Sequence, residues 1–560
     1  MTLAEIARRS LSLGARPLLW SISHFPSGLL WRIARFLRWC APMVFFGALL
    51  GAMTVLFPPG VPVAVFGLFV AALVWAMPEL ADAPTKLLRK SFFVAVAVCI
   101  SVPAYYAVQL EGLPWISVRR IALLTLICLL LFILGGSHAQ RNKLISVLRS
   151  NMPLCICAIG YLCMAVTSIV TSTHITASMS AFIDVILTWY LPLIACLTVI
   201  ETEDDIVFLL RLIVSCSLIV EITGVAEFIT ERRLAFEVLP GRLLQSLLFS
   251  NETMADTLNH DPHRNGYYRA ISTYLSPLSY GEFAAMVAPI GIFFLFHGRR
   301  LSDRFLGVAV FVGAVLSLFV AGSRGGFIGL ILACGVLSGL MVIRWSRLMP
   351  QTLVGAIGSL VALAGVASVM TTILLWKRLY NIVFGGGDTV ASSQGRVDQW
   401  LQAKKWIFSN PVTGHGLGLG PEIVDYRLPS GALTLDSYLI NLLVETGVPG
   451  FLFYMGAIGL AIFFCARVYI RNLDRLGTLG GPLAASFITY GFYRAALSQR
   501  DNQTFYFLML GIAFVYLKLA RDAESKAVER GAAEIQILPP ITPPRQRMLQ
   551  RGRGANVQQR

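Results

Sequence analysis

The chain has 560 residues, 56% of them hydrophobic and only 14% charged, with a mean hydropathy of +0.70. So much apolar surface exceeds what one water-soluble core can hide, so lipid is the expected solvent and a large soluble helical protein is set aside. The net charge of +16 has no single soluble basic domain to occupy, which argues against nucleic-acid binding and assigns the charge to membrane topology.

Taken in chain order, residues 1–40 form a basic cytoplasmic lead in which Trp31 to Trp39 lie along the membrane surface. Fourteen apolar runs follow, each about the length that carries an α-helix across ~30 Å of hydrocarbon. They centre on 41–57, 61–77, 92–109, 121–136, 153–171, 181–199, 206–224, 281–297, 304–322, 325–343, 352–375, 446–468, 479–497 and 504–519. The pairs at each end are the least sharply bounded, so the expected fold class is an all-α polytopic membrane protein of about 12–14 transmembrane helices. The first seven spans fall within 41–224, the next four within 281–375 and the last three within 437–520.

Lys and Arg fix the expected orientation, because cytoplasmic loops retain positive charge. Arg32, Arg35 and Arg38 precede the first span, Lys86, Arg89 and Lys90 follow the second, and Arg141 and Lys143 follow the fourth. Arg299, Arg300 and Arg304, then Arg344 and Arg347, then Arg467, Arg471 and Arg475 continue the alternation, whereas Arg119 and Arg120 fall on an outside loop against it. Both termini are then cytoplasmic, with residues 521–560 a disordered basic tail carrying Pro539–Pro540 and Pro543–Pro544. No cleavable signal is evident, so the first span is expected to be retained.

The ten cysteines all fall in or beside predicted spans, so the outer loops are not disulfide-stapled. Cys155 and Cys157 lie in an apolar run without a suitably spaced His and read as small buried residues rather than a metal site. No metal or nucleotide cofactor is expected, since neither a GxxxxGK[ST] loop nor a dinucleotide fingerprint is present.

Two outer loops, residues 225–280 and 376–436, face the extracytoplasmic side and carry the residues suited to chemistry. The first holds Arg269 and the stretch Ile271 to Phe283, a hairpin between spans holds Ser323-Arg324-Gly325-Gly326, and the second holds Arg396, the glycine-rich turn Asn410 to Gly420 with His415, and Asp436. Arg269, Arg324, Arg396 and Arg427 converge on one membrane face from distant segments, which suits an anionic ligand: guanidinium groups give forked hydrogen bonds to phosphate oxygens. The glycines after Arg324 leave room for a close approach by another backbone or a substrate. Asp436 has the position of a helix N-cap, and equally that of a carboxylate able to take a proton from a sugar hydroxyl. Glu445 stands in an apolar stretch and calls for a cationic partner, one of the arginines being suitable. Because the polar groups collect at the outer boundary rather than at span midpoints, surface chemistry is favoured over passage, with a transporter of an anionic glycan as the rival.

Over residues 205 to 520 these pieces together resemble the O-antigen ligase/O-antigen polymerase family of bacterial envelope glycosyltransferases: Arg269 with Pro277 and Gly281-Glu-Phe, Ser323-Arg324-Gly325-Gly326, Gly395-Arg396 with Trp400, Asn410-Pro and Gly414-His-Gly416, then Asp436-Ser-Tyr-Leu with Glu445-Thr-Gly447-Val-Pro-Gly450. The resemblance implies a GT-C-like fold in the bacterial inner membrane and metal-independent transfer of a polyprenyl-pyrophosphate-linked oligosaccharide at the periplasmic face to a glycan or lipid acceptor, in O-antigen or exopolysaccharide biosynthesis. It implies pyrophosphate binding by Arg269, Arg324 and Arg396, catalytic roles among Asp436, Glu445 and His415, and membrane lipids and other polysaccharide-assembly proteins as partners. Ligases of the family have His-Asn where this chain has Asp436-Ser437, which suits polymerase-like members better than a ligase acting on a lipid A-core acceptor.

Overall fold

The computed structural model of the chain describes residues 79, 83–103, 105–108, 116–239, 262–264, 266–348, 388–427 and 433–537, with isolated positions between 357 and 380. All of these belong to one compact unit, Ala76–Arg560. The predicted spans at 41–57 and 61–77, nearly all of that at 352–375, and the tail beyond 537 lie outside the described residues.

Helices dominate. Among the described residues, those longer than five residues are, in chain order, α1 (Thr85–Ser101), α2 (Val118–Gly136), α3 (His138–Ser150), α4 (Met152–Val170), α5 (Ile175–Val199), α6 (Glu203–Thr230), α7 (Pro277–His297), α8 (Leu301–Ala321), α9 (Arg324–Leu348), α10 (Asp388–Ser409), α11 (Tyr438–Arg471), α12 (Gly480–Arg494) and α13 (Gln503–Ile537). Nine helices among the described residues are long and apolar enough to cross a membrane: α2, α4 to α9, α11, and the first 24 residues of α13. Among the described residues, strand pairing is limited to two short ladders, Ala107–Val108 with Ile116–Ser117 and His263–Arg264 with Tyr267–Tyr268, and an isolated bridge between Arg427 and Leu433. The chain is therefore an all-α polytopic membrane protein, as its composition predicts.

Among the boundaries that differ from the sequence expectation, three bear on the packing. The run placed at 92–109 is α1, which starts at Thr85 because Lys86, Arg89 and Lys90 occupy its first turns; Arg89 reaches Asp205 of α6 in an ion pair. The run placed at 479–497 is α12, only 15 residues long, packed between α9, α11 and α7 rather than against lipid throughout. The last helix continues to Ile537, past the expected start of the tail at 521.

One end of the bundle is fastened by the N-terminus of α6. Thr202 and Asp205 close a capping box there, and Glu203, Asp204 and Asp205 place three carboxylates in the first turn, where the helix dipole favours them. Those carboxylates collect arginines from the connecting segments: Arg475 lies 3.2 Å from Glu203, and Arg299 3.5 Å from Asp204. At the same end Arg344 of α9, buried, donates to the carbonyls of Tyr469, Asn472 and Asp474 that close α11. Arg141 of α3 likewise takes the carbonyls of Leu134 and Gly135 at the end of α2, at 3.0 and 2.7 Å. The opposite end carries the candidate site.

Candidate functional site

The site is organised by a break in α11. Gly447 sits at φ 69°, ψ −177°, backbone territory essentially restricted to glycine, and joins two helical segments there. The break leaves two carbonyls without their ordinary partners. Val448 N–H donates to Pro411 O at 2.7 Å instead of to Val444, and Pro449 has no N–H to offer Glu445. The glycine-rich turn supplies the missing donors: His415 N–H reaches Val444 O at 2.9 Å and Gly416 N–H reaches Glu445 O at 3.2 Å. The turn therefore replaces a strip of helix, and its glycines follow from that closeness: a Cβ on Gly414 would stand 2.3 Å from Glu445 O.

Gly447→Ala is expected to release this turn, since its Cβ would stand 2.6 Å from Val412 O in a backbone conformation costing about 1–3 kcal/mol for alanine. Limited proteolysis across 410–420 should accelerate severalfold; cleavage at the wild-type rate would show that the turn does not depend on the break.

His415 belongs to this scaffold. Its Nε2 lies 2.8 Å from Trp406 O and 3.1 Å from Ser409 Oγ, so that nitrogen carries the proton and the ring fastens the turn to the end of α10. Glu445 is fully buried, and both its carboxylate oxygens accept from Arg500 at 2.8 Å while Gly420 N–H donates at 3.3 Å. The cationic partner that Glu445 needs is thus Arg500, not Arg269, Arg324 or Arg396. Burial opposes the Arg500 charge, and the Glu445 carboxylate more than offsets this, holding the guanidinium above its ordinary pKa. Arg427 is paired with Asp425 at 2.9 Å, both exposed.

A second buried ion pair stands beside the first. Arg494, the last residue of α12, and Glu282 of α7 are both fully buried and paired. Asn502 donates to the other Glu282 oxygen and to Ser279 O, each at 2.8 Å, and the Arg494 guanidinium lies 5.4 and 4.9 Å from the rings of Tyr438 and Tyr490. The loop from 495 to 502 joins everything here: Gln499 accepts from Ser276 and Ser279, Ala496 O from Arg396, and Arg500 meets Glu445. Sequence reasoning missed Arg494, Arg500 and this loop. The available signal was Glu282 and Arg494, each charged within an apolar run, where an unpaired charge is expensive.

The remaining candidates gather at the α8–α9 turn and the neighbouring end of α10. Arg269 Nε donates to Ala321 O at 2.9 Å, beside Gly322, whose left-handed backbone (φ 58°) ends α8. Arg269 is positioned by Glu227, fully buried, which accepts from Tyr268 Oη at 2.9 Å and from the backbone N–H groups of Ile271 and Ser272 at 3.2 and 2.7 Å. Arg324 opens α9 two residues after Gly322; it is exposed and makes no hydrogen bond or ion pair with a described residue. The room beside its glycines is filled by Tyr493, which bonds Ser323 Oγ and would lie 2.8 Å from a Cβ on Gly326. The close approach expected at Gly325-Gly326 is therefore made by the protein itself.

Arg396, on α10, points one terminal nitrogen at Ala496 O (3.5 Å) and buries Nε without a hydrogen-bond partner among the described residues. One helical turn on, the buried Gln399 accepts from Asp436 N–H at 2.9 Å, so Asp436 is held beside Arg396. Asp436 is not the cap of α11: the helix begins at Tyr438 with Ser437 in the N-cap position. Its carboxylate, half-buried, accepts from Thr434 Oγ1 at 3.0 Å and from no other described residue. The structure thus brings Arg269, Arg324, Arg396 and Asp436 to one end of the bundle, with His415 in contact with the end of α10 and Glu445 paired with Arg500.

The chain is an all-α polytopic membrane protein with Arg269, Arg324, Arg396 and Asp436 at one end of its bundle. Residues 309–455 match a family model described as O-Antigen ligase, a match spanning Arg324, Arg396, His415, Asp436 and Glu445, and it supports placing the chain in the O-antigen ligase/polymerase family. No curated protein matches the chain.

Proposed function

We propose that this chain is a membrane glycosyltransferase that moves or polymerises an oligosaccharide from a polyprenyl-pyrophosphate carrier at the outer face of a bacterial inner membrane. The observation that carries the reading is the distribution of charge. Glu445 and Glu282 are paired with Arg500 and Arg494, so Arg324 and Arg396 keep guanidinium capacity for a ligand, beside Arg269. A cation at the N-terminus of α9 opposes the helix dipole. An anionic group docking there would relieve that cost and meet the helix N–H groups as well.

In the proposed reaction the acceptor's hydroxyl oxygen bonds to the anomeric carbon of the carrier-linked sugar as the bond from that carbon to the pyrophosphate oxygen breaks. The hydroxyl proton passes to Asp436, and the carrier departs as polyprenyl pyrophosphate, its added negative charge met by Arg269, Arg324 and Arg396. His415 and Glu445 act as positioning residues. Asp436→Asn keeps the shape and removes the base: transfer should fall about 10²–10⁴-fold with carrier binding unchanged. A variant with wild-type turnover would remove Asp436 from the chemistry.

The aspartate in place of histidine favours polymerisation over ligation. Deleting the gene should then leave single-repeat products; full-length glycan stranded on its carrier would indicate ligation instead. A transport reading has one observation behind it, Glu221, buried inside α6 with both carboxyl oxygens unpartnered among the described residues.

A further inference from the structure

Arg119 and Arg120, the pair that breaks the charge alternation, sit in the first turn of α2 at the mouth of a furrow between α1, α2, α5 and α13, with a volume of about 300 Å³. Its walls are apolar, formed by Phe92, Leu126, Trp189 and Leu508 among others, and its mouth is polar, with Arg119, Arg120, Arg500, Asp184 and Asp501. From Arg119 to Leu126 the furrow runs about 10 Å along the helix, so an anionic head at the bundle end would leave a hydrocarbon chain lying inward.

Arg119 spends Nε on Val102 O at 2.6 Å and buries one terminal nitrogen without a partner among the described residues. Simple snorkelling to solvent would not bury it. Asp184 and Asp501 form no ion pair among the described residues, and they offer acceptors to sugar hydroxyls while the guanidinium groups suit a phosphate. Arg500 links this mouth to Glu445, and the same loop offers Ala496 O to Arg396 on the other side.

We propose that the furrow seats the second substrate, a lipid-anchored, phosphate-bearing glycan that serves as acceptor, separate from the donor arginines. The proposal rests on the transferase reading. A polyprenyl phosphate of eleven isoprene units, added to the purified full chain and counted by native mass spectrometry, is the probe. Wild type should hold two such lipids and Arg324→Gln one. In the Arg324→Gln background, Thr188→Phe, which fills the furrow from the half-buried turn of α5, and Arg119→Gln should each weaken the remaining lipid at least tenfold. Unchanged binding in both variants, or complete displacement by inorganic phosphate alone, overturns the furrow. In transfer assays Thr188→Phe alone should raise the acceptor KM at least tenfold with the donor KM unchanged; a wild-type acceptor KM overturns the acceptor role. Two lipids bound with no transfer by wild type would instead overturn the transferase reading, and the acceptor role with it.

Discussion

Arg324→Gln should abolish most transfer while leaving the protein at least as stable as wild type. Arg324 is exposed and makes no hydrogen bond or ion pair with a described residue, so its removal breaks none among them. It also stands at the N-terminus of the 25-residue helix α9, where a cation is unfavourable by about 0.3–1 kcal/mol, so losing it should stabilise slightly. Its proposed work is done only when charge develops on the departing pyrophosphate, and removing one such stabilising donor typically lowers turnover about 10²–10³-fold. Thermal unfolding in detergent and initial rates of glycan transfer, measured on the same preparation, test both halves. A large loss of stability would make Arg324 structural, and full turnover would exclude it from the site.

Arg494→Met should have the opposite profile, failing through the fold. Arg494 and Glu282 are both fully buried, and taking away the arginine leaves a carboxylate with Asn502 as its one hydrogen-bond donor among the described residues. Breaking such a pair costs about 3–5 kcal/mol, whereas replacing both members with uncharged side chains of similar volume often costs little. Glu282→Gln combined with Arg494→Met should therefore recover much of the unfolding temperature lost by Arg494→Met. If the double variant were as unstable as the single, the pair would not be the source of the loss.

The contrast between these arginines shows how far the sequence could be read. Long apolar runs specify spanning helices by length alone, so α2 and α4 to α9 were legible within a few residues, although α5 starts earlier than the run at 181–199 and contains a π turn at Ile186–Tyr190. The kink in α11 was half legible: Gly447-Val-Pro-Gly450 marks a break, but local pattern does not reveal that the broken ladder is repaired by a turn some thirty residues earlier. Glu445 announced that it needed a cation. Choosing Arg500 over three other arginines depends on which loop packs against it, and the loop 495–502 has no distinguishing pattern of its own. Arg396 and Asp436 were legible as polar groups beyond spans, yet their common support, Gln399, was not, because an uncharged side chain on a polar helix gives no local signal. Asp436 looked like a cap because it precedes a helix; the helix begins two residues later, and its carboxylate accepts from Thr434 Oγ1 instead.

The central claim is that the site breaks the bond between glycan and carrier. It is tested most directly by reconstituting the full chain in liposomes with a polyprenyl-pyrophosphate-linked oligosaccharide and its acceptor, then measuring release of free polyprenyl pyrophosphate. The account predicts release in step with formation of the longer or transferred glycan, falling to near background in Arg324→Gln and Asp436→Asn. Carrier-linked glycan that crosses the bilayer with its pyrophosphate bond intact, in wild type and in both variants, would contradict it.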